Sequence, residues 1–154
     1  MNRRALRIAP LAALLPLIAA VAFAAEPARL ATPDREAARF ALCKGAHRVT
    51  CVVDGDTFWY RGDKIRIADI NAPEVSKPHC AREADLGNRA TDGLIALLNS
   101  GPFTLAPNDD GTGRDSDRYG RLLRTVTRRG ASVGGELVRA GLAERWKGYR
   151  GNWC

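Results

Sequence analysis

Three β-forming segments separated by two short turns most constrain the fold, and they lie between residues 48 and 68. The turns are Asp54-Gly55-Asp56 and Arg61-Gly62-Asp63, whose compositions are typical of tight reversals. β-branched and aromatic residues flank the first turn on both sides. Residues 64–68 alternate charged and apolar side chains, which indicates a strand with one buried face. The sequence therefore predicts a β-meander.

Helices and further strands follow the meander. Apolar residues recur at helical spacing in two places, Ala90, Leu94, Leu97 and Leu98, then Val133, Leu137, Val138 and Leu142. Short β-forming runs at 103–106 and 122–127 are separated by a long polar loop at 107–120. Strands first, with helices between and after them, predict the α+β class. Residues 33–42 are compatible with either a short helix or a loose arm.

The first 24 residues have the pattern of a cleaved secretory signal. A basic start is followed by an uncharged apolar run that ends in Ala22-Phe23-Ala24. An uncleaved anchor is the competing interpretation, which the short run and its two prolines disfavour. We therefore expect a signal at 1–24, an arm at 25–47 and one domain at 48–154, in the periplasm or secreted and without stable membrane association.

The charge of the mature chain is mildly basic. Without the three arginines of the signal, 21 basic residues face 17 acidic ones, a net charge of about +4. This balance agrees with a polyanionic partner such as nucleic acid, but many exported proteins are equally basic. Composition alone does not indicate a nuclease.

Four cysteines remain after the signal, namely Cys43, Cys51, Cys80 and Cys154. An even number in a small exported domain favours two disulfides over a metal site. Three pairings are possible, and cysteine spacing does not choose between them.

Asp54 and Asp56 are the first candidates for chemistry. Residues two apart in an extended backbone point to the same side, so both carboxylates could approach one hard cation. Thr57 could orient either carboxylate through its hydroxyl. Taken alone, the same residues are better explained as a polar hairpin turn.

Three later residues supply the remaining parts of a phosphodiester-cleaving site. Arg66 and Arg121 could bind phosphate oxygens, and Pro73 would hold Glu74 rigidly at a strand end, where it could act as a general base. Each of them separately could be an ordinary surface residue. Together with the acidic pair they comprise what metal-assisted cleavage requires.

The order of these motifs resembles the staphylococcal nuclease (thermonuclease) family. The matching segments are VVDGDTF, IRIADINAPE and DRYGR, followed by a helix that ends in Gly141-Leu142-Ala143. The resemblance covers roughly residues 48 to 150. It implies a five-stranded OB-type β-barrel with two to three helices, one bound Ca²⁺, and cleavage of DNA, RNA or both by a monomer.

The resemblance also implies roles for individual residues. Asp56 would ligate calcium through its carboxylate and Ala72 through its carbonyl, with Asp54 close to the metal. Arg66 and Arg121 would bind phosphate, and Glu74 would activate water. The implied substrate contacts are Tyr149, Lys147, in the place of a family aromatic, and Tyr119.

Two departures from the family pattern affect these expectations. Asn71 stands where the family usually has a second aspartate ligand, so we expect weaker calcium binding. The chain also ends at Cys154, before the third helix of the family type member. In the family topology this end passes near the loop after Glu74, which favours the pairing Cys80 with Cys154 and Cys43 with Cys51.

Two other functions remain open on the sequence. Because Asn71 replaces an acid, the protein could be a barrel with little or no turnover, which binds single-stranded nucleic acid through stacking and charge. The other alternative is an exported, disulfide-bonded barrel that acts on proteins or on the cell envelope. A pure binder would have no use for Arg66, Glu74 and Arg121 together, which favours the nuclease.

Overall fold

The three strands of the meander form where the sequence predicts them. In the computed structural model, which describes residues 33–154, β1 spans Cys51–Asp54, β2 spans Thr57–Tyr60 and β3 spans Asp63–Ile67. Each strand pairs antiparallel with the next, so that Phe58 lies opposite both Val52 and Ile65. These three side chains are buried and begin the hydrophobic core.

The remaining elements confirm the α+β class. They are β4 (Ile70–Asn71), α1 (Ala81–Asn99), β5 (Thr104–Pro107), β6 (Leu122–Arg128), β7 (Ala131–Ser132), α2 (Val133–Arg139) and β8 (Glu144–Arg145). The part of the chain that the structure describes therefore has two helices, the lower of the two numbers expected.

The main sheet is mixed and is not closed into a barrel. Its order is β1-β2-β3-β6-β5, with β3 and β6 parallel and β7 paired to β6. Within residues 33–154 the outer strands β1 and β5 do not pair with each other. The extended segment 33–42 lies along both edges instead. Glu36 forms a β-bridge with Phe103, next to β5, and Leu42 forms one with Val52 of β1.

This extended segment is part of the core rather than a loose arm. Phe40 is buried among Phe58, Tyr60 and Phe103, with ring centroids about 6 Å apart. Side-chain amide contacts with Asn99 of α1 satisfy both backbone polar groups of Phe40. The helical alternative for residues 33–42 is not adopted.

Both helices bury most of the apolar residues that predicted them. In α1, Ala90, Leu94 and Leu98 are fully buried, although the helix begins well before this stripe. α2 ends at Arg139, earlier than expected, and leaves Leu142 outside the helix. The chain turns there at Gly141, whose φ of +68° is a conformation that glycine adopts without strain.

A small second sheet connects the end of the meander to the C-terminal segment. β4 pairs antiparallel with β8, which places Asn71 opposite Glu144. This contact joins positions 73 residues apart in sequence, and it brings the residues after β8 next to the loop that follows β4.

Two disulfides reinforce this arrangement. Cys43 is bonded to Cys51 and Cys80 to Cys154, with Cα atoms 4.9 Å and 6.1 Å apart. The pairing is the one favoured by the family resemblance. The second bond fixes the C-terminal residue to the position that caps α1.

The expected signal at 1–24 lies outside the described residues. Among the helices of residues 33–154, none has the length and apolar character needed to cross a membrane.

Candidate active site

Seven predicted site residues line one small polar cavity of about 50 Å³. They are Asp54, Asp56, Arg66, Asn71, Ala72, Glu74 and Arg121. They come from the β1–β2 turn, β3, β4 with its following loop, and the entry to β6. Pairing of β3 with β6 is what brings the two arginines, 55 positions apart, to the same cavity.

Gly55 allows the acidic turn to reach this position. A Cβ at Gly55 would lie 2.6 Å from the Cβ of Ala90 and 2.8 Å from that of Ala72, closer than real side chains approach. The turn therefore rests on α1 and on the loop after β4 at a point where no side chain fits. Small residues on all three segments fix the acidic pair in place.

The two aspartates of the turn form an electrostatically strained pair. The backbone amide of Asp56 donates to Oδ1 of Asp54 over 3.1 Å. Burial raises the pKa of Asp54 to about 7, and the nearby charge of Asp56 adds to the rise. A cation placed between them would relieve both effects.

Asp56 is oriented by neighbours on both sides. Its Oδ1 accepts a hydrogen bond from the hydroxyl of Thr57 over 2.9 Å, and its Oδ2 accepts one from the backbone amide of Ala72 over 2.9 Å. The position of Thr57 next to the acidic turn predicts this role. The contact with Ala72 is non-local and had no sequence signal.

Arg66 is turned into the site rather than toward solvent. Its Nη1 lies 3.2 Å from Oδ2 of Asp56 and donates to the backbone carbonyls of Ile67 and Ile70. Only 11% of its side chain is exposed. The guanidinium is therefore held in one position by the tight connection between β3 and β4.

Arg121 is held by two partners. Its Nε and Nη2 donate to Oδ2 of Asp117, each over 2.7 Å, and its Nη1 donates to the hydroxyl of Thr57 over 3.2 Å. Burial raises the pKa of Asp117, but hydrogen bonds from Arg121 and Tyr119 outweigh it and leave the pKa below its ordinary value. Asp117 is thus a fixed anion that orients Arg121.

Asn71 is fixed by Glu144, a residue that the sequence analysis missed. The Asn71 Nδ2 donates to Oε1 of Glu144 over 3.0 Å. Since the amide nitrogen is used in this way, the amide oxygen is the group left for the site. An aspartate at position 71 would place two carboxylates together, which gives a structural reason for the amide here.

Helix α1 packs against the loop that carries Glu74 and holds it in position. A Cβ at Gly87 would approach the carbonyl oxygens of Pro73 and Glu74 to 2.9 Å and 3.0 Å, so the loop packs directly on the helix backbone. The buried Glu83 carboxylate accepts hydrogen bonds from the backbone amides of Glu74 and His79. These contacts hold the loop on both sides of Val75.

The Glu74 carboxylate itself meets a cation that sequence reasoning also missed. Arg150 Nη1 lies 2.6 Å from Oε1 of Glu74 and lines the same cavity. The sequence offered no signal for this contact, because it depends on the β4–β8 pairing and on the Cys80–Cys154 bond.

The expected substrate-contact residues lie outside the cavity. Tyr119 is 63% exposed and stacks near Arg121, whose Cζ is 5.6 Å from the ring centroid. Tyr149 is 64% exposed, and Lys147 is exposed on the same C-terminal segment. Trp146 is also exposed, and its ring centroid lies 5.8 Å from the Cζ of Arg66. Exposed aromatics next to arginines suit base stacking.

Comparison with known proteins decides the family. The sequence model described as "Staphylococcal nuclease homologue" matches residues 64–152, more than half of the chain. The chain belongs to the staphylococcal nuclease family. The match contains Arg66, Asn71, Glu74 and Arg121, while the acidic turn at 54–56 precedes it.

The chain is also similar to two bacterial proteins. It is 40% identical over 95 residues to the SPbeta prophage-derived endonuclease YokF of Bacillus subtilis (strain 168), and 38% identical over 95 residues to endonuclease YncB of the same organism. The aligned region is 59% of this chain in both cases, but 31% and 43% of those proteins. The chain therefore spans less than half of the length of either relative.

The cavity residues fit the calcium ion that membership of the staphylococcal nuclease family implies. Within residues 33–154, no three acidic, histidine or cysteine side chains lie close enough to hold a metal by themselves. The cavity nevertheless presents oxygen donors of the kinds that Ca²⁺ prefers, namely carboxylates, an amide and a backbone carbonyl. The strained pair Asp54 and Asp56 supplies the negative charge.

Proposed function

We propose that this chain is an exported, calcium-dependent endonuclease that hydrolyses phosphodiester bonds of DNA, RNA or both. The observation that carries the proposal is the convergence of an acidic pair, a carboxylate base and two fixed arginines on one small cavity. Membership of the staphylococcal nuclease family and the endonuclease names of YokF and YncB support the same activity.

In the proposed reaction, Asp56, Asn71 and the Ala72 carbonyl would hold the calcium ion, with Asp54 nearby. The ion would neutralise phosphate charge and help to orient the strand. Glu74 accepts a proton from the attacking water as the new phosphorus–oxygen bond forms. The bond to the leaving oxygen then breaks, and that oxygen takes up a proton.

Arg66 and Arg121 stabilise the negative charge that develops on the phosphoryl oxygens. Both guanidiniums are held by fixed acceptors, so little reorganisation is needed when the charge appears. The network Asp56–Thr57–Arg121–Asp117 links the acidic turn to one of these arginines. A shift in the turn should therefore also disturb the phosphate contact.

The deciding experiment is cleavage of single-stranded DNA and RNA by the mature protein with calcium and with chelator. Calcium-dependent cleavage that disappears in Glu74→Gln supports the proposal. The absence of any calcium-dependent cleavage at micromolar protein would end it.

A nucleic-acid-binding function without turnover is the second candidate, and Asn71 is the observation in its favour. The amide brings no charge to the metal. On this alternative, the protein binds single strands in a salt-sensitive way and releases no product. Anisotropy of a labelled oligonucleotide, followed together with product formation, separates the two functions.

Export is proposed from residues 1–24 alone. N-terminal sequencing of protein purified from a host with both cytoplasmic and periplasmic fractions tests it. A mature start near residue 25 outside the cytoplasm is expected, and an intact Met1 in the membrane fraction would favour the anchor.

A further inference from the structure

Arg150 occupies a position between two cavities. It lines the small cavity of the candidate active site, and it also lines a larger cavity of about 280 Å³. Both cavities share Asn71, Ala72 and Glu74, so they adjoin each other at the loop after β4. A strand that leaves the small cavity on this side would pass Arg150.

Arg150 is the most accessible of the three arginines around the small cavity. Its side chain is 61% exposed, compared with 11% for Arg66 and 18% for Arg121. Its only hydrogen-bond acceptor among the described residues is Glu74. The other two guanidiniums each donate to more than one protein acceptor. Arg150 can therefore change partner at the smallest cost.

The backbone next to Arg150 is fixed by contacts that its side chain does not make. The next residue, Gly151, donates its amide to Oε1 of Glu144 over 2.6 Å, the same oxygen that accepts from Asn71. A Cβ at Gly151 would collide with the Glu144 carboxylate, so a larger residue there would displace the group that accepts the Gly151 amide. Three residues later the chain is bonded to Cys80.

The partner of Arg150 is the group that must accept a proton in the proposed reaction. A carboxylate oxygen held by a guanidinium is less available to a water molecule. A phosphate offers the guanidinium a bidentate, doubly charge-assisted contact, which competes well with the Glu74 carboxylate, whose side chain is 30% exposed. Arrival of a phosphate would thus draw Arg150 away and free Glu74.

We propose that Arg150 is a third phosphate-binding arginine, which passes from Glu74 to a phosphate of the bound strand. The larger cavity then takes the adjoining nucleotide. Trp153 and Asn152, which line this cavity, supply an aromatic face and an amide next to that nucleotide. This inference rests on the proposed nuclease function and extends its site by one position.

The test compares Arg150→Gln and Arg150→Lys with Arg139→Gln. Arg139 is an equally exposed arginine whose partner is Glu136 on α2, outside both cavities, and it is the matched control. Single-stranded oligonucleotides are lengthened by one nucleotide at each end in turn. KM and kcat are measured for cleavage, and affinity is measured by anisotropy in chelator, where no cleavage occurs.

We expect Arg150→Gln to raise KM and weaken strand binding about tenfold, the size of effect typical of one charge-assisted contact. Arg150→Lys should recover part of the loss, and Arg139→Gln should stay within about twofold of wild type. In the wild type, adding the nucleotide that reaches the larger cavity should lower KM. In Arg150→Gln the same addition should have little effect.

The outcomes separate this inference from the function on which it rests. Equal KM, affinity and length dependence in Arg150→Gln and Arg139→Gln, with the wild type active, overturn the role of Arg150 alone. If the wild type binds but does not cleave, the affinities of Arg150→Gln and Arg139→Gln decide the role of Arg150. A wild type that neither binds nor cleaves overturns both. Equal unfolding midpoints exclude a loss of fold as the cause.

Discussion

The backbone amide of Ala72 donates a 2.9 Å hydrogen bond to Oδ2 of Asp56, across 16 positions of sequence. The bond ties the acidic turn between β1 and β2 to the loop that carries Glu74. One carboxylate thus has two tasks, because it holds this loop and is also the charged group proposed to bind calcium.

Asp56→Asn should separate the two tasks. The amide oxygen can still accept from the Ala72 backbone amide, and the Thr57 hydroxyl can rotate to accept from the amide nitrogen, so the thermal unfolding midpoint without metal should change little. The charge at the proposed calcium site is lost, and cleavage should fall by roughly 100-fold or more. Initial rates over a calcium titration measure this.

Asp63→Asn is the matched control, since Asp63 is exposed at the start of β3. It should leave both the rate and the calcium dependence unchanged. An Asp56→Asn protein with wild-type activity would contradict the assignment of the metal site.

The second prediction concerns Asn71 and Glu144. Asn71→Asp alone should strengthen calcium binding little. The new carboxylate would face Oε1 of Glu144 at the position where the Asn71 amide now donates over 3.0 Å. With Glu144→Gln added, the amide nitrogen can face the new carboxylate while the amide oxygen turns to accept from Gly151, two partners that share Oε1 of Glu144 in the wild type.

We expect the double variant to bind calcium about tenfold more tightly than wild type, and more tightly than Asn71→Asp. Isothermal titration with calcium measures this, with Glu144→Gln alone as the control. Equal affinities for the single and double variants would show that Glu144 does not oppose an acid at position 71.

Most of the strands, helices and site residues could be predicted because their signals are local. The Asp54-Gly55-Asp56 turn, the alternation around Arg66 and the stripe from Ala90 to Leu98 each lie within one element. Their assembly into one site came from the resemblance to the staphylococcal nuclease family, since no single element required it.

The missed residues belong to contacts between distant segments. Glu144 reaches Asn71 through the β4–β8 pairing, and Arg150 reaches Glu74 across 76 positions. Two-residue strands have no periodicity that could reveal them. Gly87 was also missed. Glycine has a low helix propensity, and its role at this position follows only from the Pro73 backbone that packs against it.

The third prediction uses two glycines of α1 as a matched pair. Gly87→Ala places a Cβ 2.9 Å from the Pro73 carbonyl oxygen, which only a backbone shift can relieve. Gly93→Ala meets the ends of the flexible Leu137 and Leu142 side chains at 3.0 Å and 3.1 Å. Both changes raise helix propensity by about 1 kcal/mol.

Gly87→Ala should therefore move the Glu74 loop and lower kcat by about tenfold, while Gly93→Ala should keep kcat near wild type. Single-turnover rates at saturating calcium provide the measurement. Similar rates for the two variants would mean that the loop adjusts without moving Glu74.

The fourth prediction concerns pH and Glu83. A hydrogen bond from the backbone amide of His79 is the main cause that lowers the pKa of Glu83 below its ordinary value. A group with a lowered folded-state pKa stabilises the fold above its unfolded pKa, and this stabilisation disappears as the pH falls through the folded value. Glu83→Gln should thus lower the free energy of unfolding by about 2 kcal/mol at pH 7 and by much less at pH 3.

Urea unfolding at both pH values measures the difference. Asp85→Asn, two positions further along α1 and exposed, should show no comparable loss. A Glu83→Gln penalty that stays constant between pH 7 and pH 3 would show that the carboxylate charge does not hold the loop.

The fifth prediction separates the two disulfides. Cys80–Cys154 spans 74 positions and anchors the segment that carries Arg150, whereas Cys43–Cys51 spans 8 and lies away from both cavities. Chain entropy gives about 4.5 kcal/mol for the longer loop and about 2.5 kcal/mol for the shorter one. Each pair is replaced by serines, and stability is measured by urea unfolding.

Both variants should lose stability, but only Cys80→Ser with Cys154→Ser should also raise KM, because it frees the backbone on both sides of the Glu74–Arg150 contact. Adding Arg150→Gln to that variant should then raise KM little further, since both changes remove the same contact. In the Cys43→Ser, Cys51→Ser background, Arg150→Gln should keep its full effect. Additive effects in both backgrounds would show that the C-terminal disulfide stabilises the fold without positioning Arg150.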